Sequence, residues 1–346
     1  DWGLNHVGQL GDGTTASRST ATPATGALAD VRSLSGGAYH SVAVKGDGTV
    51  WAWGWNGYGQ LGTGTTGDAR VPTPVPTLAG VTGVSAGWYN TLAVKADGTV
   101  WAWGWNALGQ LGTGDRVDRL APTAVPGLTG VVAVTAGAYH GAALKADGSV
   151  WVWGWNGTGQ LGTGSTIDSL VPVRVPGLTG VVGISAGALH MLAVRHDGTV
   201  WSWGWNVLGQ LGSGTTTDQL APAPVPGLTN VKAVAAGAYH GLALRTDGSV
   251  WSWGWNGLGQ LGIGTTADRR SPTPSALSGA AATAISAGVG HSLARLADGT
   301  VRASGWNHFG QLGTGDLTDR MVPAVVPGLV GARTVSAGAY HSLATV

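Results

Sequence analysis

Residues 40–62 read His40-Ser-Val-Ala-Val-Lys45-Gly-Asp47-Gly48-Thr-Val-Trp51-Ala-Trp53-Gly-Trp55-Asn-Gly-Tyr58-Gly-Gln60-Leu-Gly62. Two β-prone runs flank Asp47-Gly48. Asp-Gly in that setting is a strong hairpin signal, because a type I′ turn needs positive φ at both central residues. Taken as a two-residue loop, the turn sets Val44 opposite Trp51, Val42 opposite Trp53 and His40 opposite Trp55. Strand side chains alternate with period two, so this register puts all six on one face and Ala43, Ala52 and Gly54 on the other. A short apolar run, 31–36, precedes the hairpin, and a proline-bearing segment, 71–76, follows its glycine-rich loop. Four extended pieces in about 50 residues is the content of one propeller blade.

The unit recurs along the chain. Gly-Gln-Leu-Gly appears with its glutamine at 9, 60, 110, 160, 210, 260 and 311, at intervals of 51, 50, 50, 50, 50 and 51 residues. Gly-x-x-His keeps the same period, ending at His40, His140, His190, His240, His291 and His341, with Asn90 in the remaining register. A fixed period of this length means one supersecondary unit in tandem. The expected fold is all-β: a seven-bladed propeller of four-stranded blades, forming a single domain over 1–346. The chain enters at a third strand and ends in a second strand, so the terminal blade is shared by 1–30 and 331–346. Strands from both termini then close the ring, and that blade is expected to be the weakest. Because the chain starts inside a motif, it reads as a mature or excised fragment.

Composition excludes several function classes. Charged residues make up 10% and formal net charge is +1, which lacks the basic excess of a nucleic-acid binder. There is no cysteine, hence no disulfide, thiolate metal site or cysteine nucleophile. No apolar run reaches the roughly 20 residues of a membrane helix.

The repeated polar and aromatic positions have structural readings. Trp53, Trp103, Trp153, Trp203 and Trp253 form a packing stripe between blades. The six repeat histidines are read as filling the end of that stripe and hydrogen-bonding a loop carbonyl, and His140, His190 and His240 are expected to abut Trp155, Trp205 and Trp255. Equivalent atoms on a seven-fold ring are too far apart for one ion, so no metal is expected. Asp47 and its equivalents are read as supplying positive φ. Asp68, Asp118, Asp168, Asp218, Asp268 and Asp319 are read as loop braces. An active site breaks symmetry, and no unique acid/base pair stands out, so neither catalysis nor a cofactor is expected. The sixth hairpin departs from the pattern, with Arg295 expected opposite Arg302 and Ser304 in place of a tryptophan.

Function in such a ring belongs to positions that vary between repeats. These lie just before the repeat histidine and just before Gly-Gln-Leu-Gly, at the end of the hairpin away from the Asp-Gly turns. They supply Tyr39, Tyr58, Trp88, Tyr89, Tyr139, Tyr239, Phe309 and Tyr340. Tyrosine and tryptophan give large, stiff contact area, as at interface hot spots. Another protein is the expected partner. A carbohydrate-binding or glycan-cleaving propeller, with sugars stacked on the rings, is the alternative, and a structural module of a larger surface protein is a third reading.

Gly-Ala-Tyr-His-Ser-Val-Ala-Val-Lys, Asp-Gly-Thr-Val-Trp-Ala-Trp-Gly and Asn-Gly-Tyr-Gly-Gln-Leu-Gly together resemble the repeat of the regulator of chromosome condensation family over nearly the whole chain. The resemblance implies a seven-bladed propeller. It does not imply one activity, since the repeat serves unrelated roles. Members that exchange nucleotide on a GTPase use an inserted wedge and basic tails, which have no counterpart here. Members that sense UV-B carry tryptophan in Gly-Trp-Arg-His-Thr segments. The matching positions here are Ala38, Trp88, Ala138, Ala188, Ala238, Val289 and Ala339. In style the chain is similar to compact, secreted bacterial members that bind a protein through one face of the ring. That similarity implies a bacterial, extracellular or cell-surface protein-binding scaffold.

Overall fold

A computed structural model describes residues 1–26, 28–278 and 281–346. Among these, six antiparallel four-stranded sheets follow one another along the chain, and a seventh combines both ends. The first sheet shows the plan: Val31–Gly36, His40–Lys45, Val50–Gly54 and Ala69–Pro74, paired in chain order. Each inner strand lies against that of the next sheet, and Thr334–Ala337 lies against Val31–Gly36, so the ring closes as a propeller. The closing blade has three strands, with Trp2–Gly3 pairing Ser342 and His341. A single antiparallel bridge, Gly3 to Arg18, stands where other blades have a fourth strand.

The hairpin register differs from the expected one by one residue. Lys45 N–H donates to Thr49 O (3.0 Å), and Gly48 N–H donates to Lys45 O (2.9 Å). The loop therefore has three residues, with Gly48 alone left-handed at φ 79°. Asp47 does not adopt positive φ, contrary to expectation. Its carboxylate accepts from Thr49 N–H and Oγ1–H instead (2.9 and 2.6 Å), bracing the turn. The paired residues are Val44 with Val50, Ala43 with Trp51, Val42 with Ala52, Ser41 with Trp53 and His40 with Gly54. A one-residue slip exchanges faces. The tryptophan face now carries Ser41 and Ala43, and the valines share the opposite face with His40.

Blade stacking follows from this division. Trp103 is fully buried against Val42, Val44, Val50, Ala52 and Leu61 of the preceding blade. Trp153 packs in the same way on Leu92, Val94, Val100, Ala102 and Leu111. Opposite four of these rings on their own sheets stands a small residue, Ser41, Thr91, Gly141 or Gly241, whereas Trp203 faces Met191. At Gly141 a Cβ would lie 2.5 Å from Trp153 Nε1. The indole N–H of Trp2, Trp103, Trp153, Trp203 and Trp253 also donates to the carbonyl of the preceding blade's repeat glutamine, as Trp103 does to Gln60 O (2.9 Å), whereas Trp53 Nε1 has no such partner.

The sixth blade is corrected as well. Arg295 pairs Val301, and Arg302 pairs Ala294, so the two arginines point to opposite faces. Arg295 donates to Ala332 O and Arg302 to Ala276 O, on either side of the blade. The two like charges therefore do not face each other, contrary to the expected pairing.

Candidate functional site

The strand ends away from the Asp-Gly turns carry an aromatic crown. Its unit is a Tyr–Trp pair fixed by backbone geometry: Trp55 N–H donates to Tyr39 O at 2.9 Å. The rings meet edge-on at 6.3 Å. The pairs Tyr89–Trp105, Tyr139–Trp155 and Tyr239–Trp255 repeat this at 6.0, 6.0 and 5.9 Å. Trp155 therefore contacts Tyr139, and Trp205 and Trp255 both contact Tyr239, rather than His140, His190 and His240 as expected. The histidines lie on the inter-blade face one residue later.

The pairs link across blades. Trp55 meets Tyr89 at 5.5 Å, and Trp105 meets Tyr139 at 5.9 Å. Tyr58 lies against Trp55, Tyr89 and Trp105. Tyr340 joins the closing blade to Tyr39 at 5.5 Å, and Phe309 extends the group through Tyr340. Leu189 and Gly290 stand at the positions equivalent to Tyr39 in the fourth and sixth blades. Tyr239 connects to the rest through the cluster of Ala138, Ala188 and Ala238, on which Trp88 and Tyr139 also pack. The eight candidate residues thus belong to one neighbourhood. Trp55 and Trp105 stand in the crown and not on the inter-blade stripe, because their strands end at Gly54 and Gly104, both at positive φ (101° and 99°).

Phenol chemistry in the crown is shaped by crowding. Burial, and then the neighbouring Tyr39, push Tyr340 up to about 12. Tyr89 is raised by burial and by Tyr39, Tyr139 and Tyr58. Both are neutral hydrogen-bond donors near neutral pH.

Beneath the crown runs a central channel of about 170 Å³, lined by small residues of all seven inner strands and by Trp88. Ser35 Oγ accepts from Ala86 N–H, Ser85 Oγ from Ala136 N–H, and Thr135 Oγ1 from Ala186 N–H. These hydroxyls join adjacent inner strands and are committed to the ring.

Several other polar groups are committed as well, and the histidines that are bonded meet Ser or Thr hydroxyls of a neighbouring blade rather than a loop carbonyl as expected. His40 Nε2 is 3.0 Å from Thr91 Oγ1, and His341 Nε2 is 2.8 Å from Ser41 Oγ. The six repeat histidines are fully buried, and burial pushes them down to about 3, or about 4 for His140. Asp68 Oδ1 accepts from Asn56 N–H, and the equivalent aspartates repeat the contact. Among the described residues no group of three or more His, Cys, Asp or Glu side chains could hold a metal ion. Among the described residues no helix is long and apolar enough to cross a membrane.

Comparison with known proteins places the chain. Residues 125–346 match the profile described as RCC1-like domain. Residues 47–94 and 97–144 match the regulator of chromosome condensation (RCC1) repeat, as do 31–60 and 81–110 in a second profile of that repeat. The ultraviolet-B receptor UVR8 of Arabidopsis thaliana is 36% identical over 81 residues, 23% of this chain and 18% of the receptor. The chain thus matches less than a fifth of that relative's length. Human WBSCR16 superposes with TM-score 0.87 at 24% identity, covering 99% of this chain and 97% of that one. Prp20p of Saccharomyces cerevisiae, whose structure was described together with its binding to Gsp1p and histones, gives 0.88 at 24% identity, covering 99% and 90%. The same yeast protein bound to Kap60 gives 0.87 at 23% identity, covering 99% and 87%. At these identities the structural likenesses speak for the fold.

Proposed function

The chain belongs to the regulator of chromosome condensation (RCC1) repeat family, and on that premise we propose that it is a non-enzymatic protein-binding scaffold whose partner docks on the aromatic crown. One observation carries the reading. Tyr39, Tyr58, Tyr89, Tyr139, Tyr340, Phe309 and Trp88 form a chain of touching rings at one end of the blades. Tyr58 keeps 37% of its surface exposed. Rigid aromatics with few rotatable bonds lose little entropy on binding. Relatives with this fold have been described with protein partners, Gsp1p, histones and Kap60 in yeast, which supports the class and not those targets. The compartment proposed is extracellular or cell-surface, supported by the cysteine-free, weakly charged composition. A structural module within a longer surface protein remains compatible with the same ring.

The test is affinity capture from secreted and surface fractions with the unaltered protein and a Trp88→Ala/Tyr89→Ala variant. A partner retained by the first and lost by the folded second is expected. Retention by both, or by neither, counts against the reading. The glycan alternative draws on the same ring faces. A glycan array bound by the protein and abolished by the variant would favour it over protein binding. Cleavage would further require two placed carboxylates, and the repeated loop aspartates described above are engaged in capping.

A further inference from the structure

We propose that Tyr39 and Tyr340 form an oxidative cross-linking site, at which a one-electron oxidant joins the two rings as dityrosine and closes the propeller covalently between its first and closing blades. The proposal does not depend on what docks on the crown. The two ring centres are 5.5 Å apart and the rings are tilted by 36°. After burial, the Tyr39 phenol is the main cause of the raised Tyr340, which places the two hydroxyl ends side by side. The backbones beneath them are fixed. Ala339 N–H donates to Gly37 O (2.9 Å) and ties the two loops together, while Tyr39 O accepts from Trp55 N–H and Tyr340 O from Leu4 N–H (both 2.9 Å).

This geometry singles out one pair. Dityrosine is a bond between an ortho carbon of each ring, so the hydroxyl-bearing edges must meet with the rings twisted about the new bond. Tyr39 and Tyr340 already have that arrangement. Tyr39 and Tyr89 stack face to face at 16° and 6.4 Å, and must swing apart before their edges could join. Tyr58 and Tyr89 stand at 66° and 5.9 Å, an edge aimed at a face. Tyr139 and Tyr239 meet tryptophans.

The chemistry balances with hydrogen peroxide and a haem peroxidase as the oxidant. Each phenol gives up one electron to the oxidised haem and its hydroxyl proton to water. The two phenoxyl radicals couple through one ortho carbon each, and the displaced ortho hydrogens move to the oxygens, which restores both phenols. One C–C bond forms, two C–H bonds break, and the two electrons and two protons lost reduce one peroxide to two waters. Direct contact with each ring is unnecessary. Tyr58 is 37% exposed and touches Trp55 and Tyr89, which both touch Tyr39, and a tryptophanyl radical near neutral pH oxidises tyrosine. Charge lost at the exposed ring therefore drains toward the pair that can couple.

The link would fall where the ring needs it. The closing blade has three strands, one of them only Trp2–Gly3. The chain has no cysteine with which to staple that seam. A cross-link between residues far apart in sequence removes more unfolded-state entropy than one between near neighbours, and these two are 301 residues apart.

Treatment of the dilute protein with a haem peroxidase and hydrogen peroxide tests the proposal. Dityrosine fluorescence is expected in a product that runs as a monomer on a denaturing gel. Mass spectrometry should find tryptic peptides 33–45 and 334–346 joined with the loss of two hydrogens. Tyr39→Phe and Tyr340→Phe keep the ring and its packing, and each should lower that product roughly tenfold or more. Amides of His341–Thr345 should exchange roughly tenfold more slowly in the linked protein than in the untreated one. Dityrosine formed only between molecules, mapped to Tyr58 or Tyr89, or undiminished in Tyr340→Phe overturns the site, as does oxidation confined to tryptophan. Unchanged exchange in the linked protein overturns its closing role.

Discussion

His40 Nε2 lies 3.0 Å from Thr91 Oγ1 across a blade interface, and the same hydroxyl donates to Gln60 O at 2.9 Å. One side chain thus ties a histidine of the first blade to the loop that follows it. His240 with Ser292 and His291 with Ser342 repeat the contact at 2.8 and 3.0 Å. Beside His140 and His190 the corresponding positions are Met191 and Gly241, and neither ring nitrogen of those histidines has a partner among the described residues.

Thr91→Val keeps shape and removes the hydroxyl, leaving His40 Nε2 without its partner. A loss of about 1–3 kcal/mol is expected, measured by urea denaturation. Met191→Val, where no such bond exists, should cost less than Thr91→Val. Equal losses would mean that the hydroxyl contributes only volume.

Acid should unfold the ring at unusually mild pH. The buried histidines are held neutral with values near 3, against about 6.5 when unfolded. The unfolded chain therefore binds more protons below pH 6.5, so their stabilising contribution is full above that pH and is lost as pH falls toward 3. Each contributes a slope of about 1.4 kcal/mol per pH unit in that window. The turn aspartates, lowered below the usual carboxylate value, act only at lower pH. Denaturation midpoints between pH 7.5 and 4.5 should fall steeply, and His40→Asn should flatten the profile by about one histidine's share. A flat profile over that range contradicts the buried neutral state.

Trp153→Ala should cost about 3–5 kcal/mol, the range for a large aromatic in a packed core. Its ring is fully buried and its N–H donates to Gln110 O at 2.9 Å. Trp88 is half-buried, so Trp88→Ala should cost clearly less while impairing partner binding. If Trp88→Ala proves the more destabilising in chemical denaturation, the division into packing stripe and binding crown is wrong.

Asn156 organises the long loop of its blade. Its amide donates to Ser165 O and Ile167 O (2.8 and 3.0 Å), and its oxygen accepts from Leu161 N–H (2.9 Å). Asn156→Ala should destabilise by about 2 kcal/mol. Hydrogen exchange should accelerate across residues 157–168 while the strand Val150–Gly154 stays protected.

The closing blade should open first. Trp2–Gly3 covers only Ser342 and His341, whereas Val200–Gly204 pairs with five residues of its partner strand, 190–194. Amides of His341–Thr345 should exchange faster than those of His190–Arg195, and equal protection would show closure as firm as any internal blade.

Much of this architecture is legible in the chain alone. The 50-residue period, the turn glycines and the strand patterning specify seven like units, because each of those signals is local. So is the bracing role of Asp68 and its equivalents, which depends on a contact twelve residues away. The hairpin register was not legible. Asp47-Gly48 admits both a two-residue loop with two left-handed residues and a three-residue loop with one, and inter-blade packing accompanies the second. That single residue decides which face Trp53 shares and why Ser41 and not Val42 stands opposite it, while Trp55 reaches the crown because its strand ends at Gly54 with positive φ. The positions of Tyr39, Tyr58, Trp88, Tyr89 and Tyr340 could be marked as variable, but their contact could not. Tyr340 and Tyr39 are 301 residues apart and meet only because the ring closes.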